Sequence, residues 1–515
     1  MNLKLFNTRN AALPAADTRN EAGGKAYPLS PEQKLAQLAA TGCLNQTFYA
    51  GAEAQLDAIL STAAACDAAF VARTALFARQ RGFMKDVPAL LLAHLAQRDA
   101  ELLAKVFNRV IDDGKMLRNF VQAVRSGVTG RKSLGTAPKR LVKDWLTAHT
   151  DDQLVRASVG QQPSLADVVK MVHPRPSTPQ RQALYGWLCS RKVEAEMLPR
   201  LVRDFEAFKA SSSQPMPEVP FQMLTSLDLS EAHWSQIART ASWQTTRMNL
   251  NTFARHGVFK DPKLIRLIAD RLRDPTLVKK ARVFPYQLMA AYTNAGTEVP
   301  SEVKEALQDA METATQNVPA IDGKVWVLPD ISGSMQSAVT GYRKGATTAV
   351  RCLDVAALIA ACFLRTNRSA EVLPFSDHVV PAKLNPRDSV LTNAAKLAAL
   401  PSGGTNCAAP LKEMNRVKAQ GDLVVMVSDN QSWLGLQQGT GTGVMAEWEA
   451  FRKRNPRARL VCLDIQPYGT TQAKERADIL NIGGFSDQVF EIIASFAAGT
   501  LHPDHWVGVI KQTAL

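Results

Sequence analysis

The periodicity of this chain changes once, near residues 317–324, and that change constrains the fold more than any other feature. Ahead of it, apolar residues recur at helical spacing in segment after segment. Behind it, short apolar runs of strand length alternate with helical segments. At 515 residues the chain exceeds what one hydrophobic core can serve, so two domains are assigned, 1–318 and 319–515.

Residues 1–30 read as a loop. Ser30-Pro31-Glu32-Gln33 then gives an N-cap, a proline at the first helical position and an amide in the first turn. Helices are predicted at 52–65, 67–81, 87–96, 99–112, 117–126, 137–148, 165–172, 180–191, 197–210, 230–239, 246–256, 261–273 and 301–315. Residue identities repeat only weakly. The cadence of amphipathic helices and short breakers nevertheless suits stacked helix pairs of the HEAT or armadillo kind, with an irregular all-α domain as the alternative.

In the second domain, strands are expected at 324–328, 370–375, 422–427 and 459–465, separated by helices at 347–365, 389–399, 408–417 and 443–454 and followed by one near 487–498. This βαβα order predicts an α/β, doubly wound parallel sheet with helices on both faces and a ligand site at the carboxyl ends of its strands. There the run Val325-Trp326-Val327-Leu328-Pro329 delivers Asp330-Ile331-Ser332-Gly333-Ser334. On an extended loop the oxygens of Asp330, Ser332 and Ser334 point the same way, with Gly333 allowing a sharp bend. Two further loops offer similar atoms: Ser402-Gly403-Gly404-Thr405-Asn406, and Asp429 closing the apolar run Val424-Val425-Met426-Val427-Ser428. Hard oxygen donors without sulfur or imidazole suit Mg²⁺, with Mn²⁺ as the substitute. The competing reading is helix capping by Ser332 or Ser334 and turn-making by Thr405. A cation held largely by hydroxyls keeps residual positive charge and an open position for a carboxylate or phosphate oxygen. A metal-dependent hydrolase is less favoured, because only His378, beside Asp377, lies near a relevant strand and no general base stands out.

The formal charge is +14, and the excess sits early: residues 321–515 hold 20 Lys+Arg against 17 Asp+Glu, which leaves +11 for the preceding part. It is concentrated in stretches without a carboxylate. Between Asp113 and Asp144 lie Lys115, Arg118, Arg125, Arg131, Lys132, Lys139, Arg140 and Lys143. Between Asp167 and Glu194 lie Lys170, His173, Arg175, Arg181, Arg191 and Lys192, with Tyr185 and Trp187 interleaved. A third stretch, from Glu231 to Asp261, carries Arg239, Arg247, Arg255, Lys260 and two histidines. Phosphate contacts account for such windows, and neighbouring aromatic and histidine rings can stack unpaired bases. His173 stands before Pro174, where a helix must end, so it is either a cap or an RNA contact.

Seven scattered cysteines without C-x-x-C spacing fit reduced thiols rather than a disulfide framework or zinc site. No apolar run reaches the length of a membrane span, and Met1-Asn2-Leu3-Lys4-Leu5 opens no secretory leader. A cytoplasmic location is expected.

The three oxygen-bearing loops resemble the metal-ion-dependent adhesion site (MIDAS) of von Willebrand factor A domains. By position that resemblance makes Asp330, Ser332, Ser334, Thr405 and Asp429 the cation ligands, with Asn430 where many such domains have glycine. The whole chain resembles the Ro ribonucleoprotein family, in which a ring of HEAT-like repeats (the TROVE module) is joined to an A domain. The similarity lies in Asn20-x-Ala22-Gly23-Gly24-x-Ala26-Tyr27, Thr47-Phe48-Tyr49-Ala50, residues 130–145 and 165–176, Val283-Phe284-Pro285-Tyr286, and Ser428-Asp429-Asn430-Gln431-Ser432-Trp433. It implies a non-enzymatic protein, monomeric in its ribonucleoprotein. Such a protein binds small noncoding Y RNA outside the ring and admits single-stranded ends of misfolded RNA into its hole. It also implies service in RNA quality control and ribosomal RNA maturation or decay with an exoribonuclease of the polynucleotide phosphorylase type, and a part in stress survival. His173 matches the family's Y-RNA-contacting histidine and Arg156 falls near a basic contact, while a second basic position lands near Gly160. A protein-only metal-dependent scaffold and a metal-dependent nuclease are the rival readings.

Overall fold

The structure is a computed structural model. It describes residues 13–515 except 42–43, 282, 284, 317, 343–349, 435–439, 485–486 and 503. The opening pentapeptide, Cys43, Phe284 and the start of the helix expected at 347 therefore lie outside the described residues. The chain forms two compact units. One comprises residues 1–56, 284–286 and 314–509; the other comprises 57–283, 287–313 and 510–515.

The first unit is built on strands β1 (Thr18–Arg19), β2 (Lys25–Pro28), β3 (Val325–Pro329), β4 (Glu371–Val372), β5 (Leu423–Ser428), β6 (Arg459–Asp464), β7 (Thr470–Thr471) and β8 (Ile479–Gly483). Five of them make a parallel sheet in the order β4-β3-β5-β6-β8. β3 and β5 are buried along their whole length, as expected where helices cover both faces of a parallel sheet. From β3 the chain steps outward to β4 and then returns to the other side of β3 to lay down β5. The strand order therefore reverses between β3 and β5, and the crevice at their carboxyl ends is where such sheets bind ligands. Under the sheet, Trp448 is fully buried, stacks on Phe451 at 5.6 Å and donates its indole N–H to Asp478 at 2.8 Å.

Two features depart from the sequence reading. β8 was not anticipated, because Asn481 and Gly483 interrupt its apolar character. Residues 18–28, read as a loop of the helical part, instead form β1 and β2, and β2 pairs with β7 in a second, antiparallel sheet. The first 56 residues thus group with the unit that carries the parallel sheet.

The other unit is helical. Helices Ala68–Gln80, Asp86–Arg98, Ala100–Val110, Gly114–Ser126 and Thr136–Ala148 pack on neighbours one and two places along the chain, the local pattern of stacked helix pairs. The repeat is visible in hydrogen bonds rather than in residue identity. Guanidinium groups reach back to main-chain carbonyls near helix ends: Arg98 to Ala63, Arg131 to Ala96 and Arg181 to Leu146, each 35 residues away, and Arg271 to Ala238, 33 away. Trp145 does the same to Ile111 across 34 residues. Terminal carbonyls of a helix have no partner within it, and a cation there also meets the negative end of its dipole. These side chains staple one repeat to the next. The helix expected over 246–256 is two, Trp243–Met248 and Leu250–Arg255, divided at Asn249.

Candidate metal centre and basic face

Asp330 follows β3 and Asp429 follows β5, so adjacent central strands place both carboxyls at the reversal point. The register continues past the strands, with Asp330 N–H donating to Val427 O at 2.9 Å. Asp330 is wholly buried and accepts from Ser332 N–H at 2.8 Å and from the Ser428 hydroxyl at 2.6 Å. The Ser332 and Ser334 hydroxyl oxygens lie 3.4 Å apart, and Asp429 Oδ1 accepts from Gln431 N–H at 3.2 Å. Gly333 N–H donates to Gly403 O at 3.0 Å, and Trp433 and Leu434 N–H donate to Thr405 O at 3.2 and 3.0 Å. All three loops are thereby stitched together around a buried set of oxygens: Asp330, Ser332, Ser334, Thr405 and Asp429.

The local details differ from expectation at two points. Convergence does not come from an extended loop, because Ser334–Gln336 is a 3₁₀ turn that folds Ser334 back. Gly333 has φ −60°, ordinary for any residue, and a Cβ there would have room. The glycine that matters is Gly403, whose Cβ would come within 2.9 Å of Asp377 Oδ1 and Ser376 Oγ. Asn430 has φ +56°, a conformation asparagine tolerates better than most residues, which accounts for it at a glycine-like position.

Burial raises the pKa of Asp330, and the neighbouring Asp429 carboxylate raises it further; burial also raises Asp429 itself. Among the described residues no Lys, Arg or His forms an ion pair with either. Nearby, Asp464 is fully buried and pushed up by burial and by Asp429, and its Oδ2 has no hydrogen-bond partner. Desolvated carboxylates without a counter-ion are costly. A hard divalent cation resolves that cost, and the donors fit one: Asp330 and Asp429 supply charge, Ser332, Ser334 and Thr405 neutral oxygens. Among the described residues no cluster of three or more His, Cys, Asp and Glu side chains suits a metal, so a cation here would depend on the hydroxyls as well as the carboxylates.

Sequence reasoning missed the N-terminal share of this region. Asn20 Nδ2 donates to Ser432 O at 2.7 Å and Glu21 N–H to Gln431 Oε1 at 2.8 Å. A Cβ on Gly24 would sit 2.0 Å from Ser432 O. The Asn20–Tyr27 motif therefore braces the loop that presents Asp429. Tyr49 adds a further contact: its N–H donates to the Tyr468 hydroxyl at 3.4 Å and the two rings meet edge to face at 5.5 Å, while burial, with Asp429 adding to it, raises its pKa to about 12. The Thr47-Phe48-Tyr49-Ala50 similarity was a signal for this contact, but nothing local said what it touches.

The basic windows divide into structural and available side chains. Arg118 is buried, and both its terminal nitrogens donate to the carbonyls of Ala157 and Val159. Arg131 holds Ala96 O at 2.7 Å, and Arg181, also buried, pairs with Asp151. Carboxylates absent from a window in sequence reach into it in space: Asp86 lies 3.2 Å from Lys115, and Glu231 2.8 Å from Lys260. Arg118 is thus no surface ligand. Replacing it with Leu strands two partly buried carbonyls and is expected to cost about 2–3 kcal/mol of stability, measured as a lowered calorimetric midpoint; a change under about 0.5 kcal/mol would contradict this role.

Lys132, Arg140, Lys170, Arg175, Arg191 and Lys192 are exposed, with Lys139 and Lys143 half-buried, and among the described residues none of these has a carboxylate partner within ion-pair distance. Arg125 is exposed against Met171 Sδ, and Arg156 donates to Glu218 O at 3.0 Å. His173 caps the helix Leu165–Val172 with φ +52°, its N–H on Val169 O, and its ring is exposed. It lines a groove of about 630 Å³ together with Lys170, Pro176, Tyr185, Arg191 and Lys192. The cap and the ligand readings of His173 are therefore compatible: the main chain ends the helix and the imidazole is left free.

Residues 324–497 match the model of the Ro60 vWA domain. Over 523 aligned residues the chain is 25% identical to the RNA-binding protein RO60 of Deinococcus radiodurans, covering 95% of this chain and 96% of the relative. The crystal structure of the Deinococcus radiodurans RO (RSR) protein superposes with a TM-score of 0.63 at 22% identity, over 92% of this chain and 100% of that one, so the helical and A-domain parts are shared as folds. Among the described residues no helix is long and apolar enough to cross a membrane.

Proposed function

We propose that this chain, a bacterial-type relative of the Ro ribonucleoproteins by sequence and fold, is an RNA-binding protein whose helical unit holds the RNA. It acts without catalysing a reaction itself. The observation that carries this reading is the groove beside His173, where Lys170, Arg191 and Lys192 stand exposed without carboxylate partners. Cations outside any close ion pair are available to phosphates, although Glu194 also lines the groove, and a free imidazole among prolines offers a flat face to a base. The name of the Deinococcus relative supports the same class of ligand.

The finer reading follows the family. A small structured RNA of the Y type would occupy the face that carries His173, Arg175 and Arg156, and misfolded RNA with a single-stranded end would be passed to an exoribonuclease in the cytoplasm. The A-domain site would hold Mg²⁺ through Asp330, Ser332, Ser334, Thr405 and Asp429, and the cation would lend a positive centre to an oxygen of a partner.

A structured RNA with a single-stranded end, titrated into the purified protein at low salt, tests the class; affinity no tighter than about 10⁻⁴ M, the weak end of non-specific binding, would overturn it. His173→Asn tests the face. Asparagine accepts the left-handed backbone, so the fold is kept while the ring is lost. Affinity for the structured RNA should fall about tenfold, the scale of one lost base-stacking contact, with an unchanged melting temperature. Unchanged affinity would leave His173 as a cap alone.

A further inference from the structure

Arg19 and Lys25 are direct partners in the antiparallel register of β1 and β2. Their side chains therefore leave the same face of the hairpin side by side, where like charges repel. The turn that joins them is firmly held. Asn20 N–H donates to Gly24 O and Gly23 N–H to Asn20 O, both at 2.9 Å, and Arg19 Nη1 donates to Gly23 O at 2.6 Å. Beyond the pair opens a cavity of about 100 Å³, lined by both cations together with Trp433, Gly443, Val444 and Gln472. Among the described residues no carboxylate belongs to its lining.

Gly443 and Val444 begin the helix Gly443–Arg454. Thr442 caps it, with a hydroxyl that accepts from Met445 N–H at 3.2 Å and donates to Gln472 O at 2.6 Å. The N–H groups of Gly443 and Val444 have no partner within the helix, and among the described residues neither finds an acceptor outside it. Trp433 contributes an indole that is 46% exposed.

We propose that this cavity is an anion site that takes a phosphate group. The opposed pair of cations, two open main-chain N–H groups and the positive end of a 12-residue helix all favour the same charge. An anion there also relieves the repulsion that the hairpin register imposes. The size suits a single tetrahedral oxyanion. Its source is either free phosphate or a nucleoside monophosphate whose base lies on the Trp433 indole. The site needs no metal and lies outside the helical unit, so it goes beyond both the cation reading and the RNA groove.

Calorimetric titration of inorganic phosphate and of adenosine monophosphate into the full chain tests this. At least inorganic phosphate should bind the wild type, and Arg19→Gln should weaken that binding about tenfold, the scale of one hydrogen bond to a charged group. Arg19 is exposed, so the melting temperature should hold. Gly443→Pro is the second variant. Proline suits the first helical position, and Thr442 ahead of it already has the extended backbone that a following proline requires, with φ −79° and ψ 157°. The helix is kept while one donor is lost and the ring intrudes on the cavity, so affinity should again fall about tenfold or more. The two sources then separate. A nucleotide site predicts that adenosine monophosphate binds about tenfold tighter than phosphate, the scale of one stacked base, and that Trp433→Leu removes the difference. A free-phosphate site predicts that the nucleotide binds no tighter and that Trp433→Leu changes nothing. No heat and no shift in melting temperature with either compound at millimolar concentration would overturn the proposal. So would binding that survives both Arg19→Gln and Gly443→Pro but is lost when Lys170, Arg191 and Lys192 are replaced by Glu, which would put the phosphate in the helical groove.

Discussion

Replacing Asp330 with Asn is expected to abolish the thermal stabilisation that Mg²⁺ confers and, without the metal, to make the protein more stable than the wild type. Both effects follow from burial. Asp330 lies in a desolvated crevice facing Asp429, and both causes raise its pKa. A carboxyl whose folded pKa is raised binds its proton more tightly when folded. It therefore costs stability as pH climbs from its unfolded value through its folded one, and that cost is fully present above the folded pKa. Asparagine removes the charge but keeps the contacts: its carbonyl can accept from Ser332 N–H, and its amide can donate to the Ser428 hydroxyl, which is able to accept. In the wild type a bound cation would turn the liability into binding energy. At a hundred times the dissociation constant, linkage gives about 2.7 kcal/mol, or about 5–10 °C in the midpoint of a unit this size. Calorimetry with and without Mg²⁺ should show that shift in the wild type and none in Asp330→Asn. An equal shift in both would place the cation elsewhere.

The second large effect concerns the groove. Lys170, Arg191 and Lys192 together replaced by Glu should lower affinity for structured RNA by about 10²–10³ at low salt and reduce the salt slope by roughly 2–3, in line with three lost phosphate contacts. Wild-type affinity itself should fall by about 10³–10⁵ between 50 and 200 mM salt if some 6–10 phosphates are engaged. All three side chains are exposed, so the melting temperature should hardly move. A flat salt dependence would remove electrostatics from the account, and an unaffected slope in the triple variant would move the RNA to another face.

What could be read in advance depended on how local each determinant is. The helices Ala52–Ala65, Leu165–Val172 and Ser301–Thr315 fall where their spacing placed them. Leu165–Val172, for one, is bounded by the Ser164–Asp167 capping box and by His173 ahead of Pro174. The positions of Asp330 and Asp429 were legible for a similar reason: an acid that closes an apolar run marks the end of a strand wherever the strand lies in the sheet. Pairing between residues more than 400 apart carries no such mark. β2 on β7, Asn20 on Ser432 and Tyr49 on Tyr468 are tertiary facts, and the first 56 residues were therefore read with the wrong neighbours. Charge misled in another way. Sequence counts positive residues but not where they point. Arg118 and Arg181, which look like phosphate ligands in acid-free windows, are spent on helix-end carbonyls, and Asp86 and Asp151 reach into those windows from neighbouring helices. The same staples, 33–35 residues apart, reveal the repeat that residue identities concealed.

The central claim is that RNA is held by the helical unit, beside His173, and not by the unit that carries the parallel sheet. Ultraviolet crosslinking of the protein to the RNA it holds in cells, with the modified peptides mapped, tests this most directly. The account predicts crosslinks within residues 57–283, concentrated between about 165 and 197. Crosslinks confined to the loops at Ser332, Thr405 and Asp429, or RNA recovery no better than background, would contradict it.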